Sequence, residues 1–344
     1  MTNSIISRRS LLKTGAVAAG ALALPTIIQT RGFAQSGTRT LNMQLGWLGG
    51  GNQLGEVAAK HLGYFEEEGL DFVIQAGGPS IDGVAIVASG RYEIGQVSSS
   101  PSLMLAASQS IPVKAFAVSA QQHPYAFFSL PANPIRTAKD MVGKKIGIQA
   151  TGKILLSALL KKNGIPAGDV EVVVIGADMT PLLTGQVHAV TGWMTNTTAL
   201  SALGPDRIAM KLWDQGVQLY ANPYYATADT IEREQKMLTG FLRAAGKGWE
   251  FAKAKPEEAV DLLLKEFPNL VRADEIAASQ VMLAHIFTPA TAAGGWGTMD
   301  PAVWQNQITL YDELEQFSAG APTLDAVIDM RALEATAEAR PKIG

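Results

Sequence analysis

The sequence predicts an α/β fold of two sheet-bearing lobes followed by a helical C-terminal region. Three observations carry that expectation. Residues 41–47 alternate apolar and polar with the period of two of a strand. Leu54, Val57, Ala58, His61, Leu62 and Phe65 then recur at the spacing of one helix face, before a strand-like run at 70–74. Strand and helix signals keep alternating to residue 120 and start again after residue 137, the pattern of parallel sheets with covered faces. From Ile231 onward the chain reads as helix.

Taken in order, the glycine loop Gly49-Gly50-Gly51-Asn52 separates the first strand from its helix, which makes a βαβ unit with a wide turn. Gly69 breaks that helix. After Gly77-Gly78 a helix over 81–89 is N-capped by Ser80, and a strand over 92–97 follows. Ser100 is an N-cap with Pro101 at the first helical position, where a missing N–H costs nothing. That helix runs to 108, and 113–120 is a buried-type strand. Gln121-Gln122-His123-Pro124 punctuates the chain before a second series: strand 146–149, a helix opened by Thr151-Gly152, strand 170–175, a short helix at 180–183, strand 188–192 and a helix over 193–203. Two short extended runs fall within 217–228. Met237, Leu238, Phe241, Leu242, Ala245 and Trp249 form one apolar stripe, and Pro256, Asp274 and Pro301 open three further helices. These C-terminal stripes read as core, not as site.

Composition narrows the class. Residues 1–34 hold Arg8, Arg9, Lys13 and Arg31 and no acid; Ser7-Arg8-Arg9-Ser10-Leu11-Leu12-Lys13 fits a twin-arginine export signal, with cleavage expected near Ala34. Without those residues Lys plus Arg falls from 28 to 24 against 31 Asp plus Glu, a net charge of −7. An acidic chain lacks the basic footprint that nucleic acid needs. No other stretch reaches the roughly 20 apolar residues of a membrane span. With no cysteine, stability must come from core burial, for which about 310 residues, a two-domain length, suffice.

Gly63-Tyr64-Phe65, Glu68-Gly69-Leu70-Asp71 and Gly77-Gly78, in the order strand, small-residue loop, helix, turn, strand, resemble the start of the NMT1/THI5-like periplasmic substrate-binding proteins of ABC importers. Residues 246–268 resemble the C-terminal helical wrap of the same group. The resemblance spans about residues 40–317. It implies a periplasmic-binding-protein-like α/β fold: two parallel-sheet lobes joined by a two-crossing hinge, with a helical C-terminal wrap on the first lobe. The expected crossings are 117–124 and 217–228. Lobe I then comprises 38–120 and 223–344, lobe II comprises 121–222, and 1–34 is a signal peptide.

Catalytic and cofactor motifs are missing. His61, His123, His188 and His285 stand far apart with no ligand-like spacing, and no cysteine can complete a zinc site. Neither a GxSxG elbow nor a GxxxxGK[ST] loop occurs, and Gly49-Gly50-Gly51-Asn52 does not satisfy GxGxxG. No cofactor, metal or catalytic residue is expected. Glu66-Glu67-Glu68 reads as a solvated helix end and His188 as structural. The enzymatic branch of the resembled group, the pyrimidine-precursor synthases, uses a cysteine-rich motif and its own histidine; this chain has no cysteine and carries Asn52 and Gln53 in the corresponding loop.

In open α/β sheets, ligands sit at the carboxyl ends of strands against helix N-termini. The loops 47–52, 77–80, 98–100, 149–152, 177–178 and 193–196 meet that description. They nominate Trp47, Asn52, Gly78, Ser98, Ser99, Gln149, Thr151, Gly152, Asp178, Trp193 and Asn196 as ligand-binding residues. Lys153 is the nearest cation. Trp47 and Trp193, one from each lobe, either clamp a planar ring or pack the hinge and core. Tyr125, Tyr224 and Tyr225 lie at the crossings and read as hinge packing. The expected function is delivery of a small molecule, a planar nitrogen heterocycle of the thiamine-pyrimidine-precursor type, to an ABC permease of the inner membrane by a periplasmic monomer. The alternatives are a sulfonate, nitrate or taurine receptor on the same scaffold, a ligand sensor docking a signalling receptor and, from another class, a pyrimidine-precursor synthase.

Overall fold

The computed structural model describes residues 38–344 apart from Pro79, Ala150, Thr151 and Ala177. The expected export signal and Thr151 therefore lie outside the described residues. The first series contains β1 (Arg39–Leu45), α1 (Leu54–His61), α2 (Tyr64–Glu67), β2 (Leu70–Gln75), α3 (Gly83–Ala88), β3 (Ile94–Gln96), α4 (Pro101–Ser108) and β4 (Val113–Ala120). Four residues later the chain starts β5 (Tyr125–Ser129), then β6 (Lys145–Ile148), α5 (Lys153–Lys162), β7 (Glu171–Val174), α6 (Thr180–Leu183), β8 (Ala189–Trp193), α7 (Thr197–Ser201) and β9 (Ile208–Lys211). It returns through residues 212–220 into β10 (Ala221–Thr227).

Two five-stranded sheets result, in the orders β2-β1-β3-β10-β4 and β7-β6-β8-β5-β9. The chain passes between them twice, and no strand of 125–211 joins the sheet of β1. Each sheet is mixed rather than wholly parallel. β10 runs antiparallel to β3 and β4, and β5 runs antiparallel to β8 and β9. The cause is connectivity. β4 and β9 each end at a crossing, and a short crossing delivers the chain to the same end of the other sheet. The strand that follows must run away from that end, so the antiparallel member of each sheet is the first strand after a crossing.

Local expectations shift where tertiary structure or a stronger cap intervenes. The helix expected from residue 81 starts at Gly83, because Asp82, not Ser80, accepts a hydrogen bond from the Ala85 N–H at 3.0 Å. Ser100 precedes α4, yet its hydroxyl donates to Gln307 at 2.5 Å instead of capping the helix. The helix expected over 193–203 shrinks to α7, since Trp193 pairs with Tyr125 in the β5–β8 ladder. Within 217–228 there is one strand, β10.

Helices α8 (Ala228–Arg233), α9 (Gln235–Ala254), α10 (Pro256–Glu266), α11 (Arg272–Ile286), α12 (Pro289–Gly294), α13 (Pro301–Glu313), α14 (Leu324–Val327) and α15 (Arg331–Ala335) complete the chain. The whole α9 stripe, Met237, Leu238, Phe241, Leu242, Ala245 and Trp249, is buried, each large side chain contributing about 1.5–3 kcal/mol. Phe241 stacks on Phe65 at 5.9 Å, and Phe65 on Phe72 at 4.1 Å. The acidic end of α2 is not simply solvated. Glu68 accepts two hydrogen bonds from the Arg243 guanidinium at 2.9 and 2.6 Å, and Glu67 pairs with Lys247 at 2.8 Å. At the C-terminus the buried Arg340 guanidinium donates to the carbonyls of Gly295, Trp296 and Leu333. No helix among the described residues is long and apolar enough to cross a membrane.

Candidate functional site

Three neighbouring cavities lie where loops from both sheets and the first crossing meet. One, about 310 Å³, takes Ser99, Ser102 and Leu105 from the β3–α4 segment, His123 and Tyr125 from the crossing, Gly152, Ile154, Leu155 and Trp193 from the second series, and Tyr311 from α13; an adjoining open cavity of about 520 Å³ shares Ser102 and carries Asp82. A second, about 150 Å³, lies between Asn52 of the glycine loop, Thr195 and Asn196 after β8, and Glu275, Ser279 and Met282 of α11. A third, only about 10 Å³, sits beside Trp47, Asn52, Gln96, Ser98 and Asn222. Asn52 belongs to the second and third.

The wall of the 310 Å³ cavity mixes apolar and polar groups without charge. Among the described residues it contains no Lys, Arg, Asp or Glu. His123 is 3% exposed, its ring lies 4.7 Å from Trp193 at 64°, and its Nδ1 has no hydrogen-bond partner. Burial, assisted by the neighbouring His285, holds the imidazole down to about 3, so it is neutral. Tyr125, pushed up to about 12 by burial against the opposing effect of Thr191, keeps its proton. Its hydroxyl and that of Tyr311, also raised by burial, lack partners too. Buried polar groups are normally paired. Three such groups border this cavity, with Thr191 beside the Tyr125 hydroxyl. Gly152, the N-cap of α5, must be glycine, for a Cβ there would collide with the Tyr125 hydroxyl.

A buried polar chain supports the glycine loop. Glu56 of α1 is fully buried, and its Oε1 accepts from the Tyr224 hydroxyl and, at 3.0 Å, from Gln96 Nε2. Gln96 Oε1 accepts from Gln53 Nε2 at 2.6 Å, and Gln53 Oε1 from the Gly50 N–H at 3.0 Å. Burial pushes the Glu56 carboxyl up to about 7, against the lowering influence of Tyr224 and Gln96. Asn222, at the start of β10, holds a left-handed φ of 52° and buries an unpartnered amide nitrogen beside Ser98. Non-glycine residues in that region carry strain, which concentrates at functional sites.

The eleven nominated residues separate. Ser99, Gly152 and Trp193 meet on the 310 Å³ cavity, and Asn52 and Asn196 on the second. Trp47 and Ser98 adjoin the small third one. Trp47 is 52% exposed and shares none of these cavities with Trp193, so the structure does not set the two indoles face to face. Gln149 and Gly78 line none of the three; their carbonyls accept from Gly152 N and Ile81 N. Asp178 is exposed, and its Oδ1 accepts from the Thr180 N–H at 2.9 Å. Tyr224 and Tyr225 are buried, whereas Tyr125 combines crossing and cavity wall. His188 accepts from the Lys145 N–H, a purely structural contact.

His123, Tyr311, Asn222 and Glu275 were not among the nominated residues. Residues 275, 278, 279 and 282 share one face of α11 and line the second cavity. The α9 stripe is core, as expected; the α11 face is partly buried and also borders a cavity.

Comparison with known proteins fits this geometry. The model of the family described as NMT1/THI5 like matches residues 51–259. The formylaminopyrimidine-binding protein of Halalkalibacterium halodurans is 25% identical over 304 residues, covering 84% of this chain and 91% of that protein. The riboflavin-binding protein RibY of Chloroflexus aurantiacus is 28% identical over 241 residues, covering 68% of this chain and 66% of RibY. Among solved structures, the periplasmic aliphatic sulphonate binding protein SsuA from Escherichia coli matches with a TM-score of 0.64 at 17% identity, over 84% of this chain and 97% of that one.

Proposed function

We infer that this chain, which belongs to the NMT1/THI5-like family, is a periplasmic solute-binding protein that hands a small planar nitrogen heterocycle to an ABC permease of the inner membrane. The observation that carries this reading is the 310 Å³ cavity, with an indole, three unpartnered uncharged polar groups and no formal charge on its described wall. A concave, largely apolar site with a few convergent polar groups is the usual form of a small-molecule site. Trp193 offers its face to a ring. His123, Tyr125 and Tyr311 read hydrogen-bonding atoms of that ring, and Ser99 and Gly152 close its edge.

Two relatives whose names specify nitrogen heterocycles point the same way. The sulfonate reading is weaker, because among the described residues no Lys or Arg lines any of these three cavities. Binding, not turnover, is the chemistry of these walls. Among the described residues, neutral His123 has no carboxylate hydrogen-bonded to it. In this reading lobe I comprises 38–120 and 223–344, lobe II comprises 121–222, and the protein works as a monomer. Trp47 and its exposed neighbour Leu48 belong to the rim that closes over the ligand.

The test is mass spectrometry of small molecules released on denaturing the exported, mature protein purified from its native periplasm. A planar nitrogen heterocycle at near-stoichiometric amount is expected. An alkanesulfonate or inorganic anion in its place would overturn the reading.

A further inference from the structure

We propose that the second cavity is a donor-reading subsite, in which Glu275 of α11, with Asn52 and Asn196, selects a ligand bearing an amino group on its ring. The proposal rests on the reading of the cleft as a heterocycle site and adds the group by which one ring is told from another.

The placement comes from α11 itself. Its first turn lies at the glycine loop, where a Glu275 carboxylate oxygen sits against Gly51. Its last turn reaches the first crossing, where the His285 carbonyl accepts from the Gln122 N–H at 3.2 Å. The helix thus runs from the glycine loop to the wall that carries His123. Half-buried Glu275 and Ala278 and buried Ser279 and Met282 line the cavity, opposite Asn52 on one side and Thr195 and Asn196 on the other.

Chemistry then singles out the occupant. Among the described residues Glu275 has no ion-pair partner, and it is the only charged residue on the three cavities. An ionised carboxylate is acceptor-only, and each asparagine adds a carbonyl acceptor beside its amide donors. Such a set favours N–H groups, an exocyclic amine or a protonated ring nitrogen, and repels a sulfonate, nitrate or carboxylate. Burial raises the Glu275 pKa, with the Gly51 N–H opposing and Asp274 adding to it, as suits a group kept for a partner that arrives with the ligand.

The experiment titrates the full mature protein and its Glu275→Gln variant with 4-aminopyrimidine and with pyrimidin-4-one, by calorimetry and thermal shift. Wild type should prefer the amine by about tenfold or more, and the variant should lose that preference while its affinity for pyrimidin-4-one stays within about twofold. Circular dichroism checks its fold, and Glu275→Asp, which keeps the charge on a shorter arm, should retain part of the preference. Equal binding of the two rings by wild type, or an undiminished preference in Glu275→Gln, would overturn the subsite and leave the heterocycle reading standing. Failure of both these rings to bind wild type, with other heterocycles also inert, would overturn the reading of the cleft and the subsite with it.

Discussion

Replacing Glu56 by Gln tests the electrostatics of the first lobe most sharply. The carboxyl is raised from 4.5 to about 7 by burial, so between those values the native state holds a proton that the unfolded chain has released. Its contribution to stability is therefore complete below pH 4.5 and is lost as pH rises through 7. At 1.36 kcal/mol per pKa unit the loss is about 3 kcal/mol. Glutamine keeps the shape and the acceptor for Tyr224 and Gln96 but cannot ionise. Its amide nitrogen takes the place of Oε2, which has no partner, adding a pH-independent cost of about 1–3 kcal/mol. The informative quantity is the slope. Denaturant unfolding of both proteins from pH 4 to pH 8 should show the variant gaining about 3 kcal/mol on wild type across that range. Parallel curves would refute the reasoning, because they would mean that Glu56 carries its charge at no cost.

Two further substitutions probe the site and the scaffold. His123→Phe preserves ring packing against Trp193 and removes both imidazole nitrogens, so ligand affinity should fall about tenfold, or about 1.4 kcal/mol, with the melting temperature of the free protein held or raised; calorimetry and differential scanning decide. Gly248→Ala sets a Cβ against the Gly55 carbonyl oxygen where α9 crosses α1. It should destabilise by about 1–3 kcal/mol through overpacking, read from the urea midpoint.

Much of the fold was legible because strand and helix periods differ and the chain repeats them in two series. The order of β1 to β4, the strands β6 to β8 and the helical end follow from local pattern; β9 (Ile208–Lys211) was not expected, and the two passages between sheets came from the family resemblance. The antiparallel strands did not, because strand direction depends on where a crossing enters a sheet. Within the site, Ser99, Gly152 and Trp193 were readable as residues at strand ends beside helix starts. His123 was not: a histidine between Gln122 and Pro124 looks like turn punctuation until the crossing buries it. Glu56 had no reading of its own in the sequence, and it is the packing of α9 and β10 over α1 that encloses it. Glu275 was hidden because a helix face lining a cleft has the same period as one packed on a core. The Trp47–Trp193 pairing inferred from strand ends failed to appear in one cavity because Trp47 lies two residues past β1, on an exposed loop.

The most direct test of the central claim is a thermal-shift screen of wild type and Trp193→Ala against pyrimidines, flavins, purines, taurine, alkanesulfonates and nitrate. At a hundred times its dissociation constant a true ligand adds about 2.7 kcal/mol of stability. At least one planar nitrogen heterocycle should raise the wild-type melting temperature, and Trp193→Ala should lose most of that shift. A sulfonate or nitrate that raises the melt while every heterocycle leaves it unmoved would contradict the account.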